Sequence, residues 1–248
     1  MDPPWCRDSR REVPTSLGEG IGERIEHVKR RIAEAAGRAG RDLGEVELVA
    51  VTKTVPIHRI REAVDAGIKF LGENRVQEAK DKIGALSSLP VKWHLIGHLQ
   101  TNKSKLAVEL FDLIHSLDSL KLAASLDRHG ASLGKRVWVL VEVNLEGEPG
   151  KSGVLENELP SLLEACQAFT HLAIDGLMAI PPFRESPQEV RPFFRRLRTM
   201  RDQVADAHPD YPLRHLSMGM SHDFEVAIEE GATLVRIGTA IFGERPQG

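Results

Sequence analysis

Eight short apolar or β-branched runs follow one another along the chain between residues 46 and 241. Runs of this length and composition are typical of β-strands. In order they are VELVAVT, KFLGEN, VKWHLIGH, FDLIHSLD, RVWVLVEVN, AIDGLMAI, RHLSMG and LVRIGTAI. The pattern therefore predicts eight strands.

Helical patterns lie before the first run and between later ones. Ahead of the first run, apolar residues recur every three or four positions, as on one face of an amphipathic helix: Ile21, Ile25, Val28, Ile32 and Ala35. The same spacing before the seventh run predicts a buried face made of Val190, Phe193, Leu197, Met200 and Val204. The segments HRIREAVDAG, RVQEAKDKIGAL and SLKLAASLDRHG have similar helical character.

Strands that alternate with helices predict parallel pairing, because a parallel neighbour requires a long crossover connection. Eight such units favour a closed (β/α)8 TIM barrel over an open doubly wound sheet, and 248 residues is a usual length for that α/β fold. No linker or change of composition divides the chain. We therefore expect a disordered leader, residues 1–14, followed by one barrel domain, residues 15–248, that begins with an extra helix.

Composition argues against several classes of protein. The net charge is −3 with acidic and basic residues interspersed, so no basic stripe predicts a nucleic-acid site. No apolar run approaches the roughly 18 residues of a membrane span. The segment MDPPWCRDSRREVPTS lacks the apolar core of a signal peptide. Cys6 and Cys166 are far apart, as free thiols in a reducing compartment would be. We expect a cytoplasmic protein with a small-molecule ligand.

Polar residues gather where the predicted strands end. In a barrel of this type, the carboxyl ends of the strands form the active face. Lys53 ends an apolar strand, where a lysine either reaches water at the strand tip or takes part in chemistry, because a buried ammonium is expensive to desolvate. The other residues at strand ends are Glu73, Asn74, His94, His98, Asn144, Met178, Ser217, Gly219, Arg236, Gly238 and Thr239.

The turns after the seventh and eighth strands read SMGMSHD and RIGTAIFG. Each places a hydroxyl residue beside glycine, as a phosphate site at this position of a barrel requires. Helix capping by Ser217 and Thr239, with the glycines serving only tight turns, is the alternative. A reactive lysine on one strand and a phosphate site across the mouth suggest pyridoxal 5′-phosphate (PLP) held as a Schiff base. Arg236 would then face the pyridine nitrogen, and Asn74 the ring hydroxyl.

These motifs resemble the pyridoxal phosphate homeostasis proteins, which are related in fold to the N-terminal barrel domain of alanine racemase (PLP fold type III). The similarity runs from about Ile21 to Arg245 and rests on AVTKTVP, GENRVQE, WHLIGHLQTNK, IHSLDS, VNLEGEPGKSG, GLMAI, LSMGMSHD and RIGTAIFGER. It implies Lys53 as the lysine of the internal aldimine and Arg236 at the pyridine nitrogen. It also implies phosphate contacts by Ser217, Gly238 and Thr239, with Asn74 and Met178 lining the ring; Gly219 completes the predicted set.

The resemblance implies a carrier or buffer in intracellular PLP homeostasis without a dedicated reaction. An amino-acid racemase is the alternative, and a Schiff-base aldolase is a third hypothesis. Racemisation needs an acid and a base on both faces of the cofactor, and alanine racemase adds a second β domain and a tyrosine from its partner subunit. This chain ends soon after the eighth run, and its single tyrosine, Tyr211, precedes the seventh. We therefore expect a non-catalytic monomer with PLP-dependent apoenzymes as candidate recipients.

Two further motifs are set aside. GEPGKS lacks the first glycine of a nucleotide phosphate loop, because position 145 is Leu145. His94 and His98 lie four positions apart, but no carboxylate or cysteine completes a metal set nearby. We expect structural or pocket-wall histidines and no metal.

Overall fold

A computed structural model describes residues 20–148 and 150–244 of the chain. The predicted leader, residues 1–14, lies outside the described residues, so the domain boundary at residue 15 stays a prediction. All eight predicted runs form strands. The strands are β1 (Glu47–Val51), β2 (Phe70–Glu73), β3 (Lys92–Leu95), β4 (Leu113–Leu117), β5 (Val137–Asn144), β6 (Val154–Leu155), β7 (Leu172–Met178), β8 (His215–Ser217) and β9 (Leu234–Ile237).

The sheet closes into a parallel barrel. Its order is β4-β3-β2-β1-β9-β8-β7-β5, and β4 pairs with β5 to complete the circle. The two-residue strand β6 pairs with the end of β5 and is not one of the eight barrel strands. The predicted (β/α)8 barrel is therefore confirmed.

Nine α-helices surround the barrel in the described ranges. They are α1 (Ile21–Arg38), α2 (Ile57–Asp65), α3 (Val76–Ala85), α4 (Ser104–Leu110), α5 (Leu120–Leu133), α6 (Leu159–Cys166), α7 (Arg191–Ala207), α8 (Phe224–Glu229) and α9 (Thr239–Phe242). None of these helices is long and apolar enough to cross a membrane. The extra helix α1 buries its whole predicted stripe, and each large aliphatic side chain there contributes about 1.5–3 kcal/mol.

Helix α7 differs from its predicted face by one residue. Leu197, Met200 and Val204 are buried as expected, but Phe194 is the fully buried phenylalanine, whereas Phe193 is only partly buried. Both residues fit a spacing of three or four from Leu197, so the periodicity alone did not separate them.

The barrel centre is filled by side chains. Residues from alternate positions of several strands form a compact inner layer: Val49, Leu113, Leu140, Met178 and Leu234. Met178, the last residue of β7, places one edge of this layer at the carboxyl face.

Candidate functional site

The predicted site residues lie on five neighbouring strands, in the order β7, β8, β9, β1 and β2. Met178 and Ser217 end β7 and β8, and Arg236 lies within β9. Lys53 and Asn74 follow β1 and β2. The remaining positions follow β8 and β9, namely Gly219, Gly238 and Thr239. One side of the barrel mouth therefore carries the whole predicted set.

Lys53 is half-buried in a sharp turn after β1. The amide of Thr52 donates to the carbonyl of Gly72 at 2.9 Å, and the amide of Thr54 donates to Oε1 of Glu78 at 2.6 Å. Thr54 has a φ of 62°, which is uncommon for a β-branched residue. Contacts on both sides therefore fix the backbone that carries Lys53.

Asn74 is half-buried beside Gly97 of the loop after β3. A Cβ atom on Gly97 would lie 2.4 Å from the carbonyl oxygen of Asn74 and 2.8 Å from its Cα. Only glycine permits this approach, so Gly97 helps to place Asn74. The glycine in WHLIGHL is the one sequence feature that could have pointed to this close approach. The sequence does not show, however, that Asn74 is the residue it approaches.

The turns after β8 and β9 lie against each other. Gly219 has a φ of 90°, and a Cβ atom there would lie 2.6 Å from that of Ala227, so the turn requires glycine. The carbonyl of Gly219 accepts the amide of Arg236 at 3.0 Å. The hydroxyl of Ser221 accepts the amide of Ala240 at 3.3 Å. Ser221, the second serine of SMGMSHD, thus joins a site for which the sequence had suggested Ser217.

Thr239 is exposed and begins α9 at the carboxyl end of β9. The first amides of a helix lack intrahelical acceptors, so they are available to a ligand or to a nearby side chain. Asp223 and Gly238 precede α8 and α9, so neither Ser217 nor Thr239 occupies a cap position. Amides and hydroxyls gathered in this way suit the oxygens of an anion.

Arg236 lies inside the barrel and is only 3% exposed. Its guanidinium donates through Nη1 to the hydroxyl of Ser217 at 2.5 Å and through Nη2 to the carbonyl of Ala179 at 3.0 Å. Burial lowers the pKa of Arg236 to about 10, against the opposing influence of Asp223 and Glu142. The group is therefore still a cation at neutral pH.

A chain of buried side chains continues from Ser217. Nδ1 of His115 lies 2.9 Å from the Ser217 hydroxyl, and Nε2 of His115 lies 3.1 Å from Nδ1 of His94. Burial lowers the pKa of His94 to about 3 and that of His115 well below its ordinary value. Both rings are neutral at neutral pH, so they help to fix the hydroxyl that holds Arg236. His94 is thus a barrel-wall residue, and His115 was not singled out because IHSLDS has the pattern of an ordinary strand.

Glu142 is a buried carboxyl of β5, the strand next to β7, and it is paired in register with Met178. It is 8% exposed, and its Oε2 has no hydrogen-bond partner within the described part of the chain. Burial and then the charge of Asp118 raise the pKa of Glu142 to about 7, while Arg236 acts in the opposite direction. The interior therefore contains a carboxyl that titrates near neutral pH.

We expect Glu142→Gln to stabilise the protein at alkaline pH. With its pKa raised from 4.5 to about 7, Glu142 keeps a proton in the folded state that the unfolded chain has already lost. The free energy of unfolding of the wild type therefore falls as pH rises through that interval. Because the amide does not ionise, the variant should gain about 1–3 kcal/mol near about pH 8 and little near about pH 4. Urea unfolding tests this, and an equal gain at both pH values would contradict it.

Two cavities lie elsewhere on the surface. One, of about 380 Å³, lies near the amino ends of the strands, and its three arginines are already paired with carboxylates: Arg41 with Glu45, Arg201 with Asp202 and Arg214 with Asp175. The other, of about 580 Å³, is lined by His98, whose Nδ1 lies 3.2 Å from Oδ2 of Asp118. Across residues 20–148 and 150–244, no three His, Cys, Asp or Glu side chains are grouped to hold a metal ion. The second cavity also contains Lys151, beside Gly150 and Gly153, but this lysine is paired with Glu148 at 2.8 Å.

The barrel matches the family model described as alanine racemase, N-terminal domain, over residues 24–246. Alanine racemase from Clostridium difficile superposes with a TM-score of 0.66 at 13% identity, covering 88% of this chain and 60% of that chain. These matches define the class: a barrel of the alanine racemase type.

Other relatives share far more sequence. The pyridoxal phosphate homeostasis protein of Aquifex aeolicus is 48% identical over 90% of this chain and 97% of its own length, and that of Pseudomonas aeruginosa is 44% identical over 92% and 97%. PipY of Synechococcus elongatus, solved with PLP bound, is 39% identical, with a TM-score of 0.81 over 90% of this chain and all of its own. The chain belongs to the pyridoxal phosphate homeostasis protein family.

Proposed function

We propose that this protein binds PLP and acts as a carrier or buffer in PLP homeostasis, without a dedicated reaction. The observation that carries the proposal is the position of Lys53 beside the turn of Gly238 and Thr239, on the adjoining ends of β1 and β9. PLP supplies an aldehyde, with which a primary amine condenses with release of water, and a phosphate, which amides and hydroxyls bind. The names of the relatives and the PLP bound to PipY support the same function.

The residues present fit such a ligand. A Cβ atom on Gly238 would lie 3.3 Å from Cβ of Val51, so the proposed phosphate turn lies directly against the strand that leads to Lys53. We assign the phosphate to Ser221, Gly238 and Thr239, with Gly219 shaping the adjoining turn. We assign the ring to the space bounded by Lys53 and by three further residues: Asn74, Met178 and Arg236.

Ser217 belongs to the proposed site through Arg236. Its hydroxyl is fully buried and already contacts both Arg236 and His115. We propose that Ser217 orients the guanidinium toward the ring nitrogen. Direct contact between Ser217 and the phosphate stays a prediction from the sequence.

The combined change Ser221→Ala and Thr239→Ala should weaken PLP binding by at least about tenfold, because each charge-assisted hydrogen bond contributes about 1.5–3 kcal/mol. Pyridoxal, which lacks the phosphate, should bind both proteins equally. Ser217→Ala serves as the comparison: acting through Arg236, it should weaken PLP and pyridoxal alike. Titration followed by absorbance measures the affinities of the wild type and both variants for the two ligands, and an unchanged PLP affinity in the double variant would place the phosphate elsewhere.

The proposed absence of a dedicated reaction rests on the groups around the site. The hydroxyl of Tyr211 donates to the carbonyl of Leu163 at 2.8 Å, and Tyr211 precedes the amino end of β8, away from the barrel mouth. Arg236 supplies a fixed positive charge, which opposes protonation of a ring nitrogen that faces it. Lys53 is the one residue that we propose as an acid or base in this site. Racemisation requires two acid–base groups, one on each face of the cofactor.

The wild type is therefore expected to exchange the α-hydrogens of alanine and serine in deuterated water no faster than free PLP does. Proton NMR of the amino acids, with and without the protein, measures the exchange. Turnover at about one per second or faster, as ordinary enzymes achieve, would favour the racemase alternative.

We also propose that the protein works in the cytoplasm as a monomer and that apoenzymes of PLP-dependent enzymes receive its PLP. Cys166, a buried free thiol whose pKa is raised by burial to about 11, is compatible with a reducing compartment.

A further inference from the structure

A buried ion cluster lies behind the turn that carries Lys53. Lys82 of α3 donates to the carbonyl of Thr52 at 2.6 Å, to Oε1 of Glu73 at 2.8 Å and to Oε1 of Glu78 at 2.6 Å. An ammonium has three N–H donors, so these three acceptors use all of them. The cluster has one defined geometry and contacts the backbone of the turn directly.

The contacts fall on both sides of Lys53. Lys82 binds the carbonyl of the preceding residue, Thr52, while Glu78 accepts the amide of the following residue, Thr54, at 2.6 Å. The hydroxyl of Thr52 also donates to Glu73 at 2.6 Å. Thr54 adopts its unfavourable positive φ at this point, and such a conformation persists only where the surroundings hold it.

The charges of this cluster are largely removed from water. The side chains of Lys82 and Glu73 are 9% and 0% exposed, and that of Glu78 is 29% exposed. Burial raises the pKa of Glu73 although Lys82 and Thr52 oppose it, whereas bonds from Lys82 and Thr54 outweigh burial and lower the pKa of Glu78. Buried ion groups are often replaceable by apolar residues without loss of stability, so their position points to a second role.

We infer that Lys82, together with Glu73 and Glu78, is a positioning device that sets the Lys53 turn so that the Lys53 amine reaches the ligand aldehyde. This inference rests on the proposed function, in which Lys53 is the PLP-binding amine. Lys82 acts through the backbone of the turn, so its loss should affect the covalent step more than the binding of the ring and phosphate.

The test compares two ligands in Lys82→Met, which keeps the length of the side chain but removes its charge. Formation of the Schiff base with PLP should slow by about tenfold or more, as expected when a charge-assisted hydrogen bond is lost. Pyridoxine 5′-phosphate has an alcohol in place of the aldehyde, so it cannot form the Schiff base. Its affinity for Lys82→Met should stay within about twofold of its affinity for the wild type, well under the tenfold change that corresponds to 1.4 kcal/mol. In the ligand-free protein, hydrogen exchange of the Thr54 amide should become faster.

Glu78 provides a second pair of variants, so the test survives if Lys82→Met does not fold. Glu78→Ala should reproduce the slower covalent step, whereas Glu78→Gln should recover part of it because an amide oxygen can still accept the Thr54 amide. The control is Asp112→Ala, which removes a similar bond, from the Trp93 amide to Oδ2 at 2.8 Å, near the amino ends of the strands. It should lower thermal stability and leave Schiff-base formation unchanged.

Wild-type rates of Schiff-base formation in Lys82→Met and Glu78→Ala would overturn the inference and leave PLP binding by Lys53 intact. An equal loss of pyridoxine 5′-phosphate binding would also overturn it, because the cluster would then support the whole site. A wild type that binds neither ligand would instead refute the proposed function.

Discussion

Replacing Lys53 by alanine is expected to abolish covalent attachment of PLP and to lower its affinity by at least about 100-fold, or 2.7 kcal/mol. The reason is that the ligand would keep its phosphate and ring contacts but lose its only assigned covalent bond. Lys53→Arg should behave similarly, because a guanidinium stays protonated and does not condense with an aldehyde. Absorbance of the Schiff base and equilibrium dialysis together measure both effects.

Lys103→Ala is the control, since Lys103 is an exposed lysine in the loop after β3, also on the carboxyl side of the barrel. It should retain wild-type affinity and absorbance. A Lys53→Ala protein that still forms a Schiff base would show that another lysine holds PLP, and that result would remove the basis for the proposed site.

Arg236→Met should have the largest effect on stability among the proposed site residues. The substitution leaves the buried carbonyl of Ala179 without its donor and removes one of the two partners of the Ser217 hydroxyl, which keeps His115. An unsatisfied buried polar group costs about 1–3 kcal/mol, so the free energy of unfolding should fall by about 2–4 kcal/mol. PLP affinity should fall as well, because the cation assigned to the ring nitrogen is gone. Chemical denaturation of the ligand-free protein separates the first effect from the second.

Arg198→Met offers a matched comparison on the surface. Arg198 is paired with Glu230 at 3.5 Å, and its side chain is 37% exposed, so screening by water makes that pair weak. The change should alter stability by no more than about 0.5 kcal/mol. If Arg236→Met were equally mild, the guanidinium would not be an important part of the buried network.

The barrel and the placement of its main polar residues could be predicted because both depend on local pattern. Strand runs, helix periodicity and the polarity of strand ends are properties of neighbouring residues, and they predicted Lys53, Asn74 and Arg236 at the carboxyl ends of strands. The structure shows that these strands are neighbours. The helix pattern chose Phe193 as the buried residue, whereas Phe194 is buried. Both adjacent residues fit the same helical stripe, so the pattern alone could not separate them.

The rest of the site depends on contacts between residues that are distant in sequence. His115 meets Ser217 across 102 positions, and Gly97 matters only because the backbone of Asn74 passes 2.4 Å from where its Cβ would be. In the sequence, Lys82 belongs to an ordinary helical segment. Only the folded structure brings its ammonium to the carbonyl of Thr52, in the turn that carries Lys53. The burial of Glu142 is likewise a property of the packed barrel rather than of the strand sequence.

The most direct test of the account is to trap PLP where it binds. The purified protein is mixed with PLP and treated with borohydride, which adds hydride to the carbon of the Schiff base and converts it to a stable secondary amine. After digestion, mass spectrometry locates the modified lysine. We expect the phosphopyridoxyl group on the peptide that contains Lys53, and its loss in Lys53→Arg. Modification of a different lysine, with Lys53 unmodified, would contradict it.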